Sequence, residues 1–146
     1  MYQRILVPID GSAISDHALD EAIKFAQQQN AQIKLVHVLE DIWYLDNENY
    51  LSYAELTESI RRSGEKILMQ AQNKLQQAGI TGDTKVLEAR DERIANVIVA
   101  EAKNSLADLI IIGTHGRSGF SRMLLGSVAE GVIRTAHIPV LLIRAG

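Results

Sequence analysis

The chain has no cysteine, and that absence removes disulfide scaffolds, thiolate metal sites and thiol nucleophiles together. It has little excess charge: a formal net charge of -3 provides no basic field for nucleic acid or for an acidic membrane surface. No apolar run approaches the roughly 20 residues that a membrane-spanning helix needs. The start, MYQRILVPIDGS, is short, mixed and followed at once by turn-forming residues, so no signal peptide is expected. A cytoplasmic address is the expectation by elimination. His17 and His137 are scattered, and no H-x-x-x-H or H-E pair suggests a metal site. What is present, 146 residues of which 47% are hydrophobic, suffices for one domain spanning 1–146 with its own core.

Two kinds of apolar segment alternate. RILVPID (4–10), IKLVHVL (33–39), TKVLEA (84–89), ADLIIIG (107–113) and IPVLLIR (138–144) are short, rich in Val, Ile and Leu, and read as strands. All but the third are nearly continuous in apolarity, which predicts burial on both faces. Helical spacing appears over 14–29, 52–78, 92–104 and 122–136. The second stripe runs from Leu56 through Ala71 to Leu75 and is ended by Gly79, and the fourth includes Leu125, Ala129, Val132 and Ile133. Five strands alternating with four helices predict an α/β domain with a mainly parallel sheet and helices on both faces. Ligands in such sheets bind beyond the carboxyl ends of the strands, where strand order reverses. The segments to inspect are therefore DGSAIS, EDIWYLDNENY and GTHGRSG. Residues 41–53 hold the only Trp and three of the four Tyr, and read as a loop that either covers a ligand or packs on the second helix. His37, alone inside a strand, reads as a satisfied packing residue.

The stretch GTHGRSGFSRMLLGSV (113–128) joins a buried strand to a helix through a glycine-rich loop. That order suits an anion, because the first amides of a helix lack partners within it and its dipole places positive charge there. Gly126 and Ser127 offer two amides and a hydroxyl, and Arg117 could add a charge-assisted contact. Neither common phosphate signature fits: no Lys follows Lys103, and the glycines at 113, 116 and 119 do not spell G-x-G-x-x-G. On spacing alone, a plain connection with a capping serine explains the loop equally well. Asp10, before Gly11 and Ser12, reads alone as a turn or cap residue. Beside a phosphate loop it becomes a candidate acceptor for a ribose hydroxyl or a holder of a divalent ion.

Gly113-x-x-Gly116, nine residues and Gly126-Ser127 match the G-2x-G-9x-G-[ST] signature of the universal stress protein family. The resemblance extends over essentially the whole chain, through RILVPIDGS, LVHV, ADLIIIGTHGRSG and LLGSVAEGVIRTAHIPVLLIR. It implies a single Rossmann-like domain with strand order 3-2-1-4-5, similar to the ATP-binding branch of the family. On that resemblance Pro8, Ile9 and Asp10 wall the adenosine end. Val38 meets adenine through its backbone, with Ile112 packed nearby. Gly113, His115, Gly116, Gly126, Ser127 and Val128 hold ribose and phosphates. The implied ligand is ATP or another adenine nucleotide with Mg2+, which Asp10 would help to hold. One departure is EARDERIANVI after the third strand, where many relatives carry Gly and Pro; Asp91 is expected to cap the next helix.

An ATPase needs an oriented water and charge stabilisation of the leaving phosphate. No motif here supplies a water-activating residue, and the lysine of an NTPase loop is missing. The expected protein is therefore a regulatory module that holds ATP and hydrolyses it slowly at most. The competing reading is an ATP-using enzyme of the same fold, for which 146 residues leave little room. A pure interaction module with an empty site is a third reading, disfavoured because such a loop would not need its glycines. The terminal strand, 138–144, is expected to be an apolar sheet edge and the contact of a homodimer, as in relatives.

Overall fold

The computed structural model describes residues 1–40, 50–115 and 125–144. In chain order the elements are β1 (Arg4–Pro8), α1 (Ala13–Gln29), β2 (Gln32–Glu40), α2 (Tyr50–Gln77), β3 (Gly82–Ala89), α3 (Ile94–Asn104), β4 (Leu109–Gly113), α4 (Ser127–Thr135) and β5 (Val140–Ile143). The strands form one sheet in the order β3-β2-β1-β4-β5, and all four pairings are parallel. The sheet order is the one the resemblance implied.

Strand alternation divides the core into two layers. Ile5 and Val7 of β1, Ile33 and Leu35 of β2, and Leu109 and Ile111 of β4 pack with Leu19 and Ala22 of α1 and with Leu68 and Leu75 of α2. Leu6, Val36, Ile110 and Ile112 point the other way, onto Ala95, Ile98 and Ala102 of α3 and Val132 of α4. A strand covered on both faces can be apolar at successive positions, which is the continuous pattern seen in the sequence. Local chemistry sets α1: the Ser12 hydroxyl accepts from Ser15 N at its start, and Asn30 ends it in a left-handed conformation with φ 57°.

Four sequence expectations need correction. The near-continuous apolarity of residues 138–144 predicts burial on both faces, but β5 borders the sheet and is only partly buried, with Leu141 exposed. The 28 residues of α2 span about 42 Å against about 30 Å for the nine of β2, so the helix outruns the sheet. Its first turns lie beyond the sheet, which is why Leu56 is exposed and why residues 50–53 are helical rather than loop. The expected fourth helix over 122–136 begins at Ser127; Leu125 lies before it and is exposed, and Ile133 falls on the flank beside buried Val132. Asp91 does not cap α3. The cap position is Arg93, without a side-chain hydrogen bond, while Asp91 turns the chain two residues earlier with φ 54°. His37, by contrast, is buried and bonded as expected, its Nδ1 lying 2.8 Å from the Ile9 carbonyl.

One buried charge ties α3 to the sheet. Glu101 is 4% exposed and lies 2.9 Å from Lys34 of β2 and 3.1 Å from Lys85 of β3. Burial by itself raises the carboxyl's pKa. The hydrogen bonds and charges of the two lysines outweigh it and hold the group below the ordinary glutamate value. With the folded-state pKa lowered, this contribution is complete above the unfolded value and is lost as pH falls through the folded one. Glu101→Gln should therefore lower stability by about 1–3 kcal/mol at neutral pH. In urea denaturation the gap from wild type should narrow below about pH 4. A gap that stayed constant with pH would contradict the ion-cluster account.

Candidate functional site at the carboxyl edge of the sheet

From β1 the chain moves to β2 and β3 on one side, whereas β4 and β5 lie on the other, so strand order reverses between β1 and β4. A crevice belongs at that point for a reason written in β1. Ile9 N–H donates to the Val36 carbonyl of β2 at 2.9 Å. Successive residues of a strand address opposite neighbours, so the Pro8 nitrogen faces β4. Proline has no N–H to continue that ladder. The β1–β4 pairs accordingly stop at Leu6–Ile110, while β1–β2 pairing persists to Pro8–Val36.

The loop leaving β1 is held by its own polar groups. Asp10 Oδ1 accepts from Ser12 N at 2.9 Å, and Asp10 N donates to Ser15 Oγ at 3.3 Å. Gly11 makes the turn with φ 82°. Asp10 is thus a turn residue, as its local sequence suggested, in the loop that leaves the carboxyl end of β1.

The exit of β4 meets the start of α4. Gly113 ends a strand whose five residues are all buried, and Thr114 N donates to the Ile143 carbonyl of β5 at 3.0 Å. Gly126 N donates to the Thr114 carbonyl at 2.7 Å. This bond clamps the helix mouth to the strand exit, so the Gly126 amide is not spare for a ligand. Gly126, rather than Ser127, is the N-cap of α4, with no side-chain cap bond, and Ser127 is the first helical residue. The first-turn amides from Ser127 onward have no acceptor within the helix. Both ring nitrogens of His115 are buried without a hydrogen-bond partner among the described residues.

The fold thus brings Pro8, Ile9 and Asp10 to one wall, and Ile112, Gly113, His115, Gly126, Ser127 and Val128 to the other. Val38 is one strand further on, sharing the α3/α4 face with Ile112. Gly116 and Arg117 lie outside the described residues, as do Gly119 and residues 41–49. Thr114 was not among the residues singled out from sequence. It acts through its backbone, so no side-chain pattern announces it. A separate apolar cavity of about 260 Å³, lined by Val99, Leu106, Ile110 and Ile138 among others, sits at the amino-terminal end of β4 and β5 and contains none of the site residues. Among the described residues no three His, Cys, Asp or Glu side chains cluster as a metal site, and no helix is long and apolar enough to cross a membrane.

The clamp gives Gly126 a structural task independent of any ligand. A Cβ there would lie 2.9 Å from the Thr114 oxygen and 3.1 Å from His115 Cα, both backbone atoms. Gly126→Ala should cost roughly 1–3 kcal/mol in thermal or urea unfolding, because main chain must move. Wild-type stability in that variant would disprove the clamp.

The sequence profile of the universal stress protein family matches residues 1–144. Universal stress protein MJ0531 of Methanocaldococcus jannaschii is 34% identical over 144 residues, covering 99% of this chain and 83% of its own. A universal stress protein family structure from Burkholderia pseudomallei aligns with TM-score 0.82 at 33% identity, over 99% of this chain and 97% of that one. A universal stress protein solved in complex with cAMP aligns with TM-score 0.73 at 26% identity, over 99% of each chain. The one from Archaeoglobus fulgidus in complex with dAMP aligns with TM-score 0.69 at 25% identity, over 98% of each. The chain belongs to the universal stress protein family.

Proposed function

We propose that this protein holds an adenine nucleotide, ATP in the first place, and acts as a nucleotide-dependent regulatory module of the stress response. The observation that carries the reading is the helix mouth at the reversal point. Among the described residues, the first-turn amides of α4 and the buried ring nitrogens of His115 have no partners, and they lie at the same edge of the sheet as the Asp10 turn. Buried polar atoms without partners are costly, and a polyoxygen ligand would supply acceptors for them. The cAMP and dAMP complexes of related proteins support an adenine nucleotide as that ligand.

On this reading Pro8, Ile9 and Asp10 line the adenosine side, and Val38 addresses the base through its backbone with Ile112 behind it. Gly113, His115, Ser127 and Val128 meet ribose and phosphates, with Gly126 setting the helix mouth in place. Gly116 and Arg117 complete the phosphate loop. Asp10 would help to hold a nucleotide-bound Mg2+. On this reading these groups bind and orient; none is an evident water-activating residue, so turnover is expected to be slow at most.

Heating the purified protein should release ATP or another adenine nucleotide, and calorimetry should detect ATP binding. No released nucleotide and no binding at millimolar ATP would defeat the proposal. Ser127→Ala should weaken ATP binding by roughly threefold to tenfold, the weight of one hydrogen bond. Unchanged ATP after prolonged storage would support holding over cutting.

We also propose a homodimer through the terminal strand. β5 borders the sheet, is paired among the described residues only with β4, and carries partly exposed apolar side chains including Leu141. An open apolar edge is completed by a second copy across a two-fold axis. Light scattering at micromolar concentration should give the dimer mass, and a monomer would refute this assembly.

A further inference from the structure

We infer that His37 is the positioning residue that keeps the Val38 backbone available to a base, by taking the Ile9 carbonyl out of the β1–β2 ladder. The inference rests on the adenine-nucleotide reading of the site. The ladder runs regularly through Ile9 N–H to the Val36 carbonyl. Its next rung would join Val38 N–H to the Ile9 carbonyl, because alternate residues of β2 address β1. Among the described residues that rung is not formed. The Ile9 carbonyl instead lies 2.8 Å from His37 Nδ1. A carbonyl can only accept, so the imidazole carries its proton on Nδ1 and donates it.

Each part of this exchange has a reason. A buried carbonyl needs a donor, and with His37 supplying one, Ile9 is satisfied without Val38. The Val38 N–H and carbonyl face the side that β1 is leaving, and β3 is served by the neighbouring residues, as Ile33 N to the Thr81 carbonyl illustrates. One donor and one acceptor thus stand at the edge of the crevice, the pattern an adenine edge would meet. The imidazole itself is fixed from behind. Gly64 of α2 lies so close that a Cβ there would fall 2.6 Å from His37 Cδ2, and the ring is 8% exposed. A glycine inside a long helix is unfavourable, and here it makes the room in which the ring can sit.

Two substitutions separate positioning from packing. His37→Leu keeps an apolar body in a buried place and removes the donor. His37→Asn is poorer in packing and β propensity but restores an N–H near the Nδ1 position. A packing role predicts that Leu is tolerated better than Asn. Positioning predicts the reverse order in binding: His37→Leu should weaken ATP by about tenfold and erode its preference over GTP, and His37→Asn should recover to within about threefold of wild type. A second measurement needs no nucleotide. Amide hydrogen exchange should find Val38 poorly protected beside Val36 in wild type. In His37→Leu it should be about tenfold or more better protected, as the free Ile9 carbonyl captures it. Wild-type ATP affinity in His37→Leu, equal losses in both variants, or an unchanged Val38 exchange rate would each overturn the inference. If wild type binds no nucleotide, the ligand reading falls, and the Val38 exchange then decides the His37 arrangement alone.

Discussion

The structure depends on where its central strand lets go of its neighbours. β1 lies between β2 and β4 and must end pairing with both at nearly the same level if a crevice is to open at the carboxyl edge. Proline at position 8 ends the ladder toward β4 by lacking a donor, and one residue later His37 takes the Ile9 carbonyl on the side of β2. The chain then turns tightly through Asp10, Gly11 and Ser12 into a capped helix. Had position 8 carried an N–H, β1 and β4 could have remained zipped for another rung. The two walls that carry the proposed site would then have met.

Stability and the proposed binding are assigned to opposite ends of the sheet. Toward the amino-terminal ends of the strands, two carboxylates are committed to partners. Asp108 accepts from the Gln3 and Arg4 amides at 2.9 and 3.0 Å, and Glu101 is held by two lysines. A buried carboxylate is tolerable there because the partner charges outweigh the loss of water. At the carboxyl ends the balance is reversed: among the described residues, the first amides of α4, the His115 nitrogens and the Val38 backbone have no such commitments. Unsatisfied groups of this kind cost stability in the empty protein and are repaired when a ligand supplies their partners.

Much of the fold was legible because burial on two faces leaves a plain trace. Runs such as Leu109–Ile112 read as interior strands, and the stripe from Ala18 to Ala26 as one face of a helix, and both are buried as such. The errors lie where tertiary geometry overrules local pattern. Leu56 has the right spacing for a core residue, yet its helix is longer than the sheet beneath it. Asp91 is a favourable capping type but sits two positions early in a left-handed turn. Glycine spacing pointed to the loop between β4 and α4, but the pattern could not reveal that the Gly126 amide is already spent on Thr114. Nor could it reveal His37, which looked like packing because its task depends on ladder parity, a property of two strands together.

The same division of polar groups bears on whether the nucleotide is held or cut. A site that grips through backbone amides acts on ground-state charge and changes little as a bond breaks, so it favours bound ATP about as much as the transition state. Cutting needs groups whose interactions strengthen as charge migrates to the leaving oxygen, such as a lysine or an oriented base. Asp10 is the one carboxylate among the proposed site residues, and its Oδ1 is occupied by the turn that makes the crevice. Using it as a base would loosen the wall it supports. On the proposed reading, a fold that uses its carboxylate to shape the site, and fixed amides to meet phosphates, would favour occupancy over turnover.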